Sequence, residues 1–453
     1  MIDIAIDRSD RPSGYNIGMA LQSTKHVVIS TFGSFGDLHP YIAIALELQS
    51  RGYRVTIATS GVYKEKIESE GIGFHGVRPH MYRGDIDPEL IKKIMDIKTG
   101  PEYVIRGLML PHVRESYEDL EPILSQADLV VTHPLTFASH LYAEKYNTPW
   151  VSTVLQPSVF FSAIDPPIFP NAPILHRLRW LGPGFYRWAY SQIRKVIAKW
   201  MTPVHELRRD IGLPPTTRDP LLDSEFSPQL NLALFSPVFA PLVSDWPPNT
   251  KVTGFPIYDR RTKGEGMPED LLKFLDDGQP PIVFTLGSSA VHDPGAFYAD
   301  SIKASVDLGR RSVLLVGLET NETTEKLPEG IFLCRYAPHS DLFPRACAIV
   351  HQGGVGTTAQ ALRSGRPTLI VPWGQDQPDN ASRIVRLGVG RTIMRAQYNA
   401  STAAHELGRL LSEGAYSYRA KEISKKILAE DGTRAAVDEI EAMLSTVPEP
   451  STA

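Results

Sequence analysis

The stretch His351–Gln377, HQGGVGTTAQALRSGRPTLIVPWGQDQ, carries the strongest fold signal in the chain. A short apolar run ends at His351, three glycines follow within five residues, and a helix is predicted from about Val355 to Ser364. The apolar run TLIV then predicts a second strand. Strand, glycine turn, helix and strand in this order are typical of a parallel sheet with helices on both faces.

The glycine turn before this helix predicts an anion site. A helix N-terminus offers unpaired backbone N–H groups and the positive end of the helix dipole. Gly353 and Gly356 keep side chains out of the turn, and Thr357 adds a hydroxyl in the first helical turn. His351 can donate a hydrogen bond from the end of the strand. These four residues predict a phosphate site.

Asp376 and Gln377 lie on the next loop, where we expect them to bind sugar hydroxyls, because a carboxylate only accepts hydrogen bonds and an amide both donates and accepts. Two other interpretations stay open. The glycines could simply make a tight turn beside a core His351. Residues 354–359 also fit the dinucleotide motif G-x-G-x-x-A, with Asp376 as the ribose acid. That acid, however, lies past Pro372, several residues beyond the tip of the predicted strand.

The first half of the chain repeats the alternation of strands and helices. HVVIST (26–31) predicts a strand, FGSFGDLH predicts a loop, and Pro40 predicts a helix start, since proline is favoured at the first helical position. Both halves together predict an α/β fold of two doubly wound Rossmann-like domains that face each other across a ligand-binding cleft. The proline-rich residues 213–256 predict a domain boundary. The expected organisation is a loose tail at 1–22, an N-terminal domain at 23–240, a C-terminal domain at 241–430, and a final helix with tail at 431–453.

Composition excludes several classes of protein. The 453 residues carry 47 Lys and Arg against 51 Asp and Glu, a net charge of −4, so nucleic acid is not an expected partner. Cys334 and Cys347 are the two cysteines, which indicates a reducing, cytoplasmic setting. The chain contains no apolar run of the length needed to span a membrane.

Residues 351–390, HQGGVGTTAQALRSGRPTLIVPWGQDQPDNASRIVRLGVG, resemble the donor-site signature of glycosyltransferases with the two-domain GT-B fold. The resemblance is greatest to the family-1 branch of macrolide, sterol and bacterial rhamnosyl or glucosyl transferases. The patterns H-x-G-G-x-G-T-T, L-x-x-G-x-P, P-x-x-x-D-Q and N-A-x-R occur in order. In the first half, GSFGDLHP resembles the G-S-x-G-D-x-x-P loop of that branch.

The resemblance implies roles for individual residues and no organic cofactor. The co-substrate would be a nucleotide sugar linked to UDP or dTDP, bound by the C-terminal domain, while the N-terminal domain would bind the acceptor. The implied donor-binding residues are His351, Gly353, Gly356 and Thr357 at the diphosphate, Ser288 near the phosphates, Arg335 and Tyr336 beside the base, and Asp376 and Gln377 at the sugar.

Asp37, in FGSFGDLHP, is the candidate catalytic base. A carboxylate in the cleft could take the proton of the acceptor hydroxyl as its oxygen attacks the sugar, and burial would raise the pKa of this carboxyl from its ordinary ~3.9. Two alternatives stay open. Asp37 could only cap the helix expected at Pro40, and His39 could be the base instead.

The D-x-D sequence at Asp85 and Asp87 precedes Pro88 and is best explained as a loop with a helix N-cap. No metal site is therefore expected. On the acceptor side, Phe160 and Phe161 predict an apolar pocket. Residues 166–205 contain no acid and are rich in aromatic and basic residues. They predict either a helical pair whose aromatics pack on the first domain or line the pocket, or a basic amphipathic face that touches a membrane.

We therefore expect an inverting, metal-independent glycosyltransferase. It would move a hexose, glucose or rhamnose, from a UDP- or dTDP-sugar to a hydroxyl of a hydrophobic small molecule such as a polyphenol, sterol, terpenoid or lipid. The alternatives are a sugar-nucleotide 2-epimerase of the same fold and a non-catalytic sugar-nucleotide sensor.

Overall fold

The computed structural model describes residues 25–80, 88–223, 225–260, 266–317 and 327–446. The expected N-terminal tail, the Asp85 and Asp87 motif and the expected tail beyond residue 446 lie outside these residues.

Within the described residues, the first half forms one sheet of seven parallel strands. These strands are β1 (His26–Ser30), β2 (Arg54–Thr59), β3 (Gly73–Gly76), β4 (Leu129–Thr132), β5 (Trp150–Val154), β6 (Leu230–Ala233) and β7 (Thr250–Val252). Their order in the sheet is β3-β2-β1-β4-β5-β6-β7. The helices of this half are α1 (Phe35–Ser50), α2 (Lys64–Ser69), α3 (Pro88–Ile94), α4 (Gly100–Tyr103), α5 (Val113–Leu124), α6 (Phe137–Tyr146), α7 (Ile174–Arg177), α8 (Gly182–Trp200) and α9 (Thr202–Asp210).

The second half forms a sheet of six parallel strands within the described residues. These are β8 (Ile282–Thr285), β9 (Ser312–Leu315), β10 (Ile331–Cys334), β11 (Ala348–His351), β12 (Thr368–Ile370) and β13 (Gly390–Thr392), in the order β10-β9-β8-β11-β12-β13. The helices are α10 (Glu269–Asp276), α11 (Gly287–Ala290), α12 (Phe297–Asp307), α13 (His339–Leu342), α14 (Val355–Ser364), α15 (Gln377–Leu387), α16 (Ala400–Ser412), α17 (Gly414–Leu428) and α18 (Gly432–Thr446).

The central strands are apolar and buried on both faces, as parallel sheets require. Apolar clusters lie on both faces of each sheet. In each sheet the strand order reverses once, between β1 and β4 and between β8 and β11. Ligands of such folds bind at these reversal points, beyond the carboxyl ends of the strands. The predicted fold class, two doubly wound Rossmann-like domains, is confirmed.

Four strands were not predicted: β3, β6, β7 and β13. Two of them, β6 and β7, lie in the proline-rich region 213–256, and β7 lies beyond residue 240, so the first sheet continues past the expected domain boundary. Strands as short as LNLA and TKV carry no long β-branched run. Pairing with a neighbouring strand, rather than local sequence, makes them strands.

Helix α1 begins at Phe35 and not at Pro40, which lies inside the helix. Ser34 is the N-cap, and a capping box with Asp37 starts the helix five residues earlier than expected. Because proline has no N–H, the carbonyl of Gly36 loses its helical partner.

The final helix α18 returns to the first domain. Its apolar side, which includes Val437 and Ile440, joins the cluster around α1. Arg51 on α1 donates to Asp438 at 2.6 Å and to Glu441 at 2.5 Å. Where the chain crosses between domains, a Cβ on Gly432 would lie 2.5 Å from the carbonyl carbon of Gly254. The chain passes between the domains near Gly254 and again near Gly432. These two segments therefore contact each other through glycine backbones.

Candidate active site

The second-domain side of the candidate site lies at the carboxyl ends of β8, β11 and β12. Gly353 turns the chain after β11 with a φ of +91°, and a Cβ there would lie 2.8 Å from Ile370 Cγ2 on β12. Both the positive φ and the close strand require glycine. Helix α14 follows, and a Cβ on Gly356 in its first turn would lie 3.8 Å from Gly36 Cα of the first domain. The N-terminus of α14 thus opens onto the cleft between the domains.

His351 is buried at the end of β11 with its ring nitrogens in different roles. Nδ1 accepts the backbone N–H of Gly353 at 3.1 Å, so the neutral ring carries its proton on Nε2. Nε2 is buried and has no hydrogen-bond partner among the described residues. Burial lowers the pKa of His351 to about 3. The neutral ring therefore has one N–H group without a hydrogen-bond partner among the described residues at any ordinary pH. Such a group can donate a hydrogen bond to a phosphate oxygen. Thr357, also buried, lies in the first turn of α14.

Asp376 lies at the N-cap position of α15, six residues past β12. Its Oδ2 accepts Asn380 Nδ2 at 2.6 Å, and the same nitrogen donates to the carbonyl of Gly353 at 2.9 Å. Asn380 thereby ties the loop of Asp376 to the phosphate-type turn. The sequence analysis had no role for Asn380, although it lies in the N-A-x-R pattern that carried the resemblance.

The side chain of Gln377 has fewer free hydrogen-bonding groups than the sequence predicted. Its Oε1 accepts the backbone N–H groups of Trp373 at 2.7 Å and Gly374 at 3.2 Å. The carbonyl oxygen is therefore engaged by its own loop, and the side chain can offer a sugar only the Nε2 donor.

The remaining donor candidates lie farther along the sheet edge. Ser288 is exposed in α11, directly after β8. Arg335 and Tyr336 are exposed after β10. Since β10 is three strand positions from β11, they lie roughly 14 Å from His351 along the sheet. The structure thus brings Ser288 next to the strand of His351 and places Arg335 and Tyr336 at the far end of a cleft that an extended nucleotide could span.

Asp37 faces the donor side from the first turn of α1. Its Oδ2 accepts the backbone N–H of Ser34 at 2.7 Å and the Ser34 hydroxyl at 3.1 Å. A Cβ on Gly33, whose φ is +135°, would lie 2.2 Å from that oxygen, so only glycine admits the carboxyl here. Burial raises the pKa of Asp37. Asp37 completes the capping box of Ser34, and because the Ser34 contacts use only Oδ2, a catalytic role is compatible with the capping box.

The carboxyls of Asp37 and Asp376 interact across the cleft. Burial is the main cause that raises the pKa of Asp376 to about 7, and the negative charge of Asp37 is the next. An acid from each domain therefore lies within electrostatic range of the other across the cleft. The ring centroid of His39 lies 5.4 Å from that of Phe35 and 5.1 Å from that of Tyr258.

Phe160 is not a pocket wall. Its ring stacks on Trp246 at 4.2 Å and on Phe226 at 5.7 Å, inside the core, so the expectation for this residue is corrected. Phe160 ends a short 3-10 turn, Pro157–Phe160, and so short a turn gives no local signal of which side its phenylalanine faces. Phe161 has a φ of +47°, which is rare for a bulky residue and marks a locally constrained backbone. Its ring contacts Phe169, 5.0 Å away.

A cavity in the first domain was missed by the sequence analysis. It lies at the carboxyl ends of β1, β2 and β4 and is closed on its far side by α5. Its walls are mainly apolar, and Thr59 Oγ1 is buried there without a hydrogen-bond partner among the described residues. The available signal was the position of Phe32, Ser60 and Leu135 directly after buried strands. Its lining includes Phe32, Thr59, Ser60, Met109, Val113 and Leu135.

A buried ion network joins the segment around Asp165 and Ile168 to α15. Arg383, 2% exposed, donates to Asp379 at 2.8 Å and to Asp165 of the first domain at 2.7 Å. Asp379 also accepts the backbone N–H of Ile168 at 3.0 Å, and Arg386 donates to Asp165 at 2.7 Å. The helix that begins beside Asp376 is thus fixed to the chain that carries Phe161.

Substitution of Asp376 by Asn should change how stability depends on pH. In the folded protein the pKa of Asp376 is about 7, above the ordinary ~3.9 of the unfolded chain. The folded state therefore binds the proton more tightly, and wild-type stability falls as pH rises from about 4 to 7. Asn removes this loss. We expect the variant to melt above wild type at pH 8, with a smaller difference at pH 5, by calorimetric scans. An equal difference at both pH values would contradict the burial of this carboxyl.

Two doubly wound domains that face each other across a cleft are the arrangement of the GT-B fold. Residues 301–443 match the family model of the erythromycin biosynthesis protein CIII-like C-terminal domain, and residues 27–108 match the glycosyltransferase family 28 N-terminal domain.

Named relatives span the chain. It is 30% identical over 440 residues to O-mycaminosyltylonolide 6-deoxyallosyltransferase of Streptomyces fradiae, covering 93% of this chain and 98% of that protein. It is 27% identical over 457 residues to sterol 3-beta-glucosyltransferase UGT80A2 of Arabidopsis thaliana, covering 96% and 69%. The structure of the glycosyltransferase VinC in complex with dTDP matches with a TM-score of 0.65, 20% identity and coverage of 92% and 99%.

The chain belongs to the family-1 GT-B glycosyltransferases, in the branch of the macrolide and sterol enzymes. It is a transferase, as its family domains and named relatives show. Across the described ranges, no helix is long and apolar enough to cross a membrane.

Proposed function

We propose that this glycosyltransferase moves a hexose from a UDP- or dTDP-sugar to a hydroxyl of a hydrophobic small molecule, with inversion at the anomeric carbon. The observation that carries the proposal is the unsatisfied Nε2–H of His351 beside the N-terminus of α14, opposite Asp37. The relatives named for tylonolide and sterol substrates support a macrolide or sterol acceptor. Glucose and rhamnose are the proposed sugars.

In the proposed complex, His351 Nε2 and the first N–H groups of α14, with Gly356 and Thr357, bind the diphosphate. Asp376 accepts from the sugar hydroxyls and Gln377 donates to them through Nε2. Ser288 lies near the phosphates, and Arg335 and Tyr336 flank the base. The apolar acceptor lies on the N-terminal domain, against the wall at Phe161.

The chemical step is one displacement. The acceptor hydroxyl loses its proton to Asp37 as its oxygen attacks the anomeric carbon. The bond from that carbon to the diphosphate oxygen breaks, and its electron pair leaves with the diphosphate. The positive end of α14 and the His351 N–H stabilise the charge on the leaving group. Attack from the side opposite the leaving group inverts the anomeric configuration.

The proposal is tested by incubating the purified protein with UDP-glucose or dTDP-rhamnose and a panel of sterols, macrolide aglycones and polyphenols. Mass spectrometry should detect a hexosylated acceptor, and nuclear magnetic resonance should show an anomeric configuration opposite to that of the donor. Retention of configuration would contradict the single displacement. Failure of all these acceptors, with hydrolysis of the donor, would contradict the acceptor class.

Transfer is expected to persist in excess EDTA, because the helix end and His351 supply the positive character that a metal would otherwise bring to the diphosphate. Initial rates with and without chelator check this prediction. Loss of activity on chelation that Mg²⁺ or Mn²⁺ restores would contradict it and direct attention to Asp85 and Asp87.

A further inference from the structure

The outer side of α8 and of the turn before it exposes large apolar side chains. Trp180 is 78% exposed, Trp188 61% and Ile174 59%. Exposed basic residues alternate with them along the same side. We call this face the Trp180/Trp188 surface, and it consists of Ile174, Arg177, Trp180, Leu181, Arg187, Trp188, Lys195, Val196 and Lys199.

The inner side of the same helix packs against the first domain. Tyr186 and Tyr190 are buried against Ala163. Tyr190 donates to the carbonyl of Ser162 at 3.1 Å, and its ring lies 5.8 Å from that of Phe161. The aromatic residues of this region therefore divide between the two sides of the helix. The packing expected from the sequence explains the tyrosines but not the exposed tryptophans.

The charge of this region is opposite in sign to that of the whole chain. Residues 166–205 contain no acid and six Arg or Lys, whereas the whole chain carries −4, so the rest carries −10 (−4 minus +6). Arg179 lies 3.5 Å from Asp165, and Arg194 lies 2.6 Å from Asp223. Among the described residues the other four basic side chains form no ion pair, and all four belong to the Trp180/Trp188 surface.

We propose that the Trp180/Trp188 surface docks the enzyme on an anionic lipid bilayer. Tryptophan is favoured at the boundary between headgroups and acyl chains. Basic side chains are attracted to anionic lipids, and a helix with one apolar-basic side lies in the plane of the interface. A second copy of this chain is a poor occupant, because a two-fold contact would place two positive surfaces against each other.

Docking in this orientation has a consequence for the proposed acceptor. The side of α8 opposite the lipid contacts the segment of Phe161, which the ion network of Asp165 fixes to the donor helix. An apolar acceptor dissolved in the bilayer would thus lie one helix away from the acceptor wall. This consequence rests on the proposed function, whereas the docking itself does not and is measured without activity.

The test is co-sedimentation of the full chain with vesicles of phosphatidylcholine containing about one-third phosphatidylserine, compared with phosphatidylcholine alone. We expect binding to the anionic vesicles at low salt and weaker binding at high salt, since surface charge is screened. R187Q/K195Q/K199Q should lower the partition coefficient about 100-fold, at roughly fivefold per basic residue. W180S/W188S should lower it about tenfold or more through lost apolar burial.

Y418S/L428S on α17 is the matched control, because it removes two exposed apolar side chains, 67% and 57% exposed, from another lysine-bearing helix. This variant should bind vesicles as wild type does. Circular dichroism melting checks that all three variants fold. Three results would overturn the proposal. They are no binding of the wild type to anionic vesicles, an equal loss of vesicle binding in W180S/W188S and in the control, and no loss of vesicle binding in W180S/W188S. The last result, with loss in the basic variant, would indicate adsorption by charge alone, without insertion of the tryptophans.

Discussion

Asp37→Asn is expected to lower the transfer rate about 10²–10⁴-fold, which is the usual contribution of a general base. The amide keeps the size of the side chain and can still accept from Ser34, but it cannot take the proton of the acceptor hydroxyl. Affinity for the nucleoside diphosphate should stay nearly unchanged, since the proposed phosphate contacts come from the other domain. Steady-state rates and calorimetric titration together check both parts.

Ser34→Ala is the matched control for Asp37→Asn. It removes the hydroxyl that both donates to Asp37 and accepts from Gly36 N–H, and it leaves the carboxyl in place. Loss of an N-cap costs about 1 kcal/mol of stability and should leave most of the activity. If Ser34→Ala were as inactive as Asp37→Asn, the cap rather than the base would explain the loss. An active Asp37→Asn with an inactive His39→Ala would move the base to His39.

Arg383→Met is expected to destabilise the protein by about 3–5 kcal/mol, because it leaves the carboxylates of Asp379 and Asp165 without their buried partner. The side chain of Arg383 is 1% exposed, as is that of Asp379. The midpoint of thermal unfolding should fall accordingly. Arg386→Met is the matched control, since Arg386 also pairs with Asp165 at 2.7 Å but is 41% exposed. Exposed pairs contribute about 0–1 kcal/mol.

Equal small losses in Arg383→Met and Arg386→Met would contradict a buried network between the domains. A further variant separates burial of charge from packing. Arg383→Met combined with Asp379→Leu and Asp165→Asn leaves no unpaired buried charge near α15. This triple variant should recover part of the stability lost in Arg383→Met, because replacing a whole buried ion group by neutral residues is often tolerated.

The parts predicted well from sequence are those whose signal is local. The helix Val355–Ser364 was predicted with the bounds that the structure shows, because a glycine turn and Gly365 delimit it. The order of strand, turn and helix in both halves gave the fold class. The expectation that His351 lies at a strand end is confirmed by the position of β11. Its phosphate role stays a proposal.

The parts missed depend on contacts between distant residues. Asp165 and Arg383 lie 218 positions apart in the chain, and no local pattern pairs them. Phe160 and Phe161 are adjacent phenylalanines, yet Phe160 is in the core and Phe161 has a constrained backbone with a positive φ. The engagement of Gln377 Oε1 by its own loop depends on the path of the backbone after β12, which composition does not determine.

The central claim is that the second domain binds the nucleoside diphosphate through His351 and the sugar through Asp376. Calorimetric titration of wild type, His351→Ala and Asp376→Ala with UDP and dTDP, and then with UDP-glucose and dTDP-rhamnose, tests it most directly. His351→Ala should lose about 10- to 100-fold in affinity for the free nucleoside diphosphate, the value of one hydrogen bond to a charged group. Asp376→Ala should bind the free nucleoside diphosphate as wild type does and lose affinity only for the intact sugar nucleotide. Equal loss of nucleoside diphosphate affinity in both variants, or none in His351→Ala, would contradict this arrangement of the site.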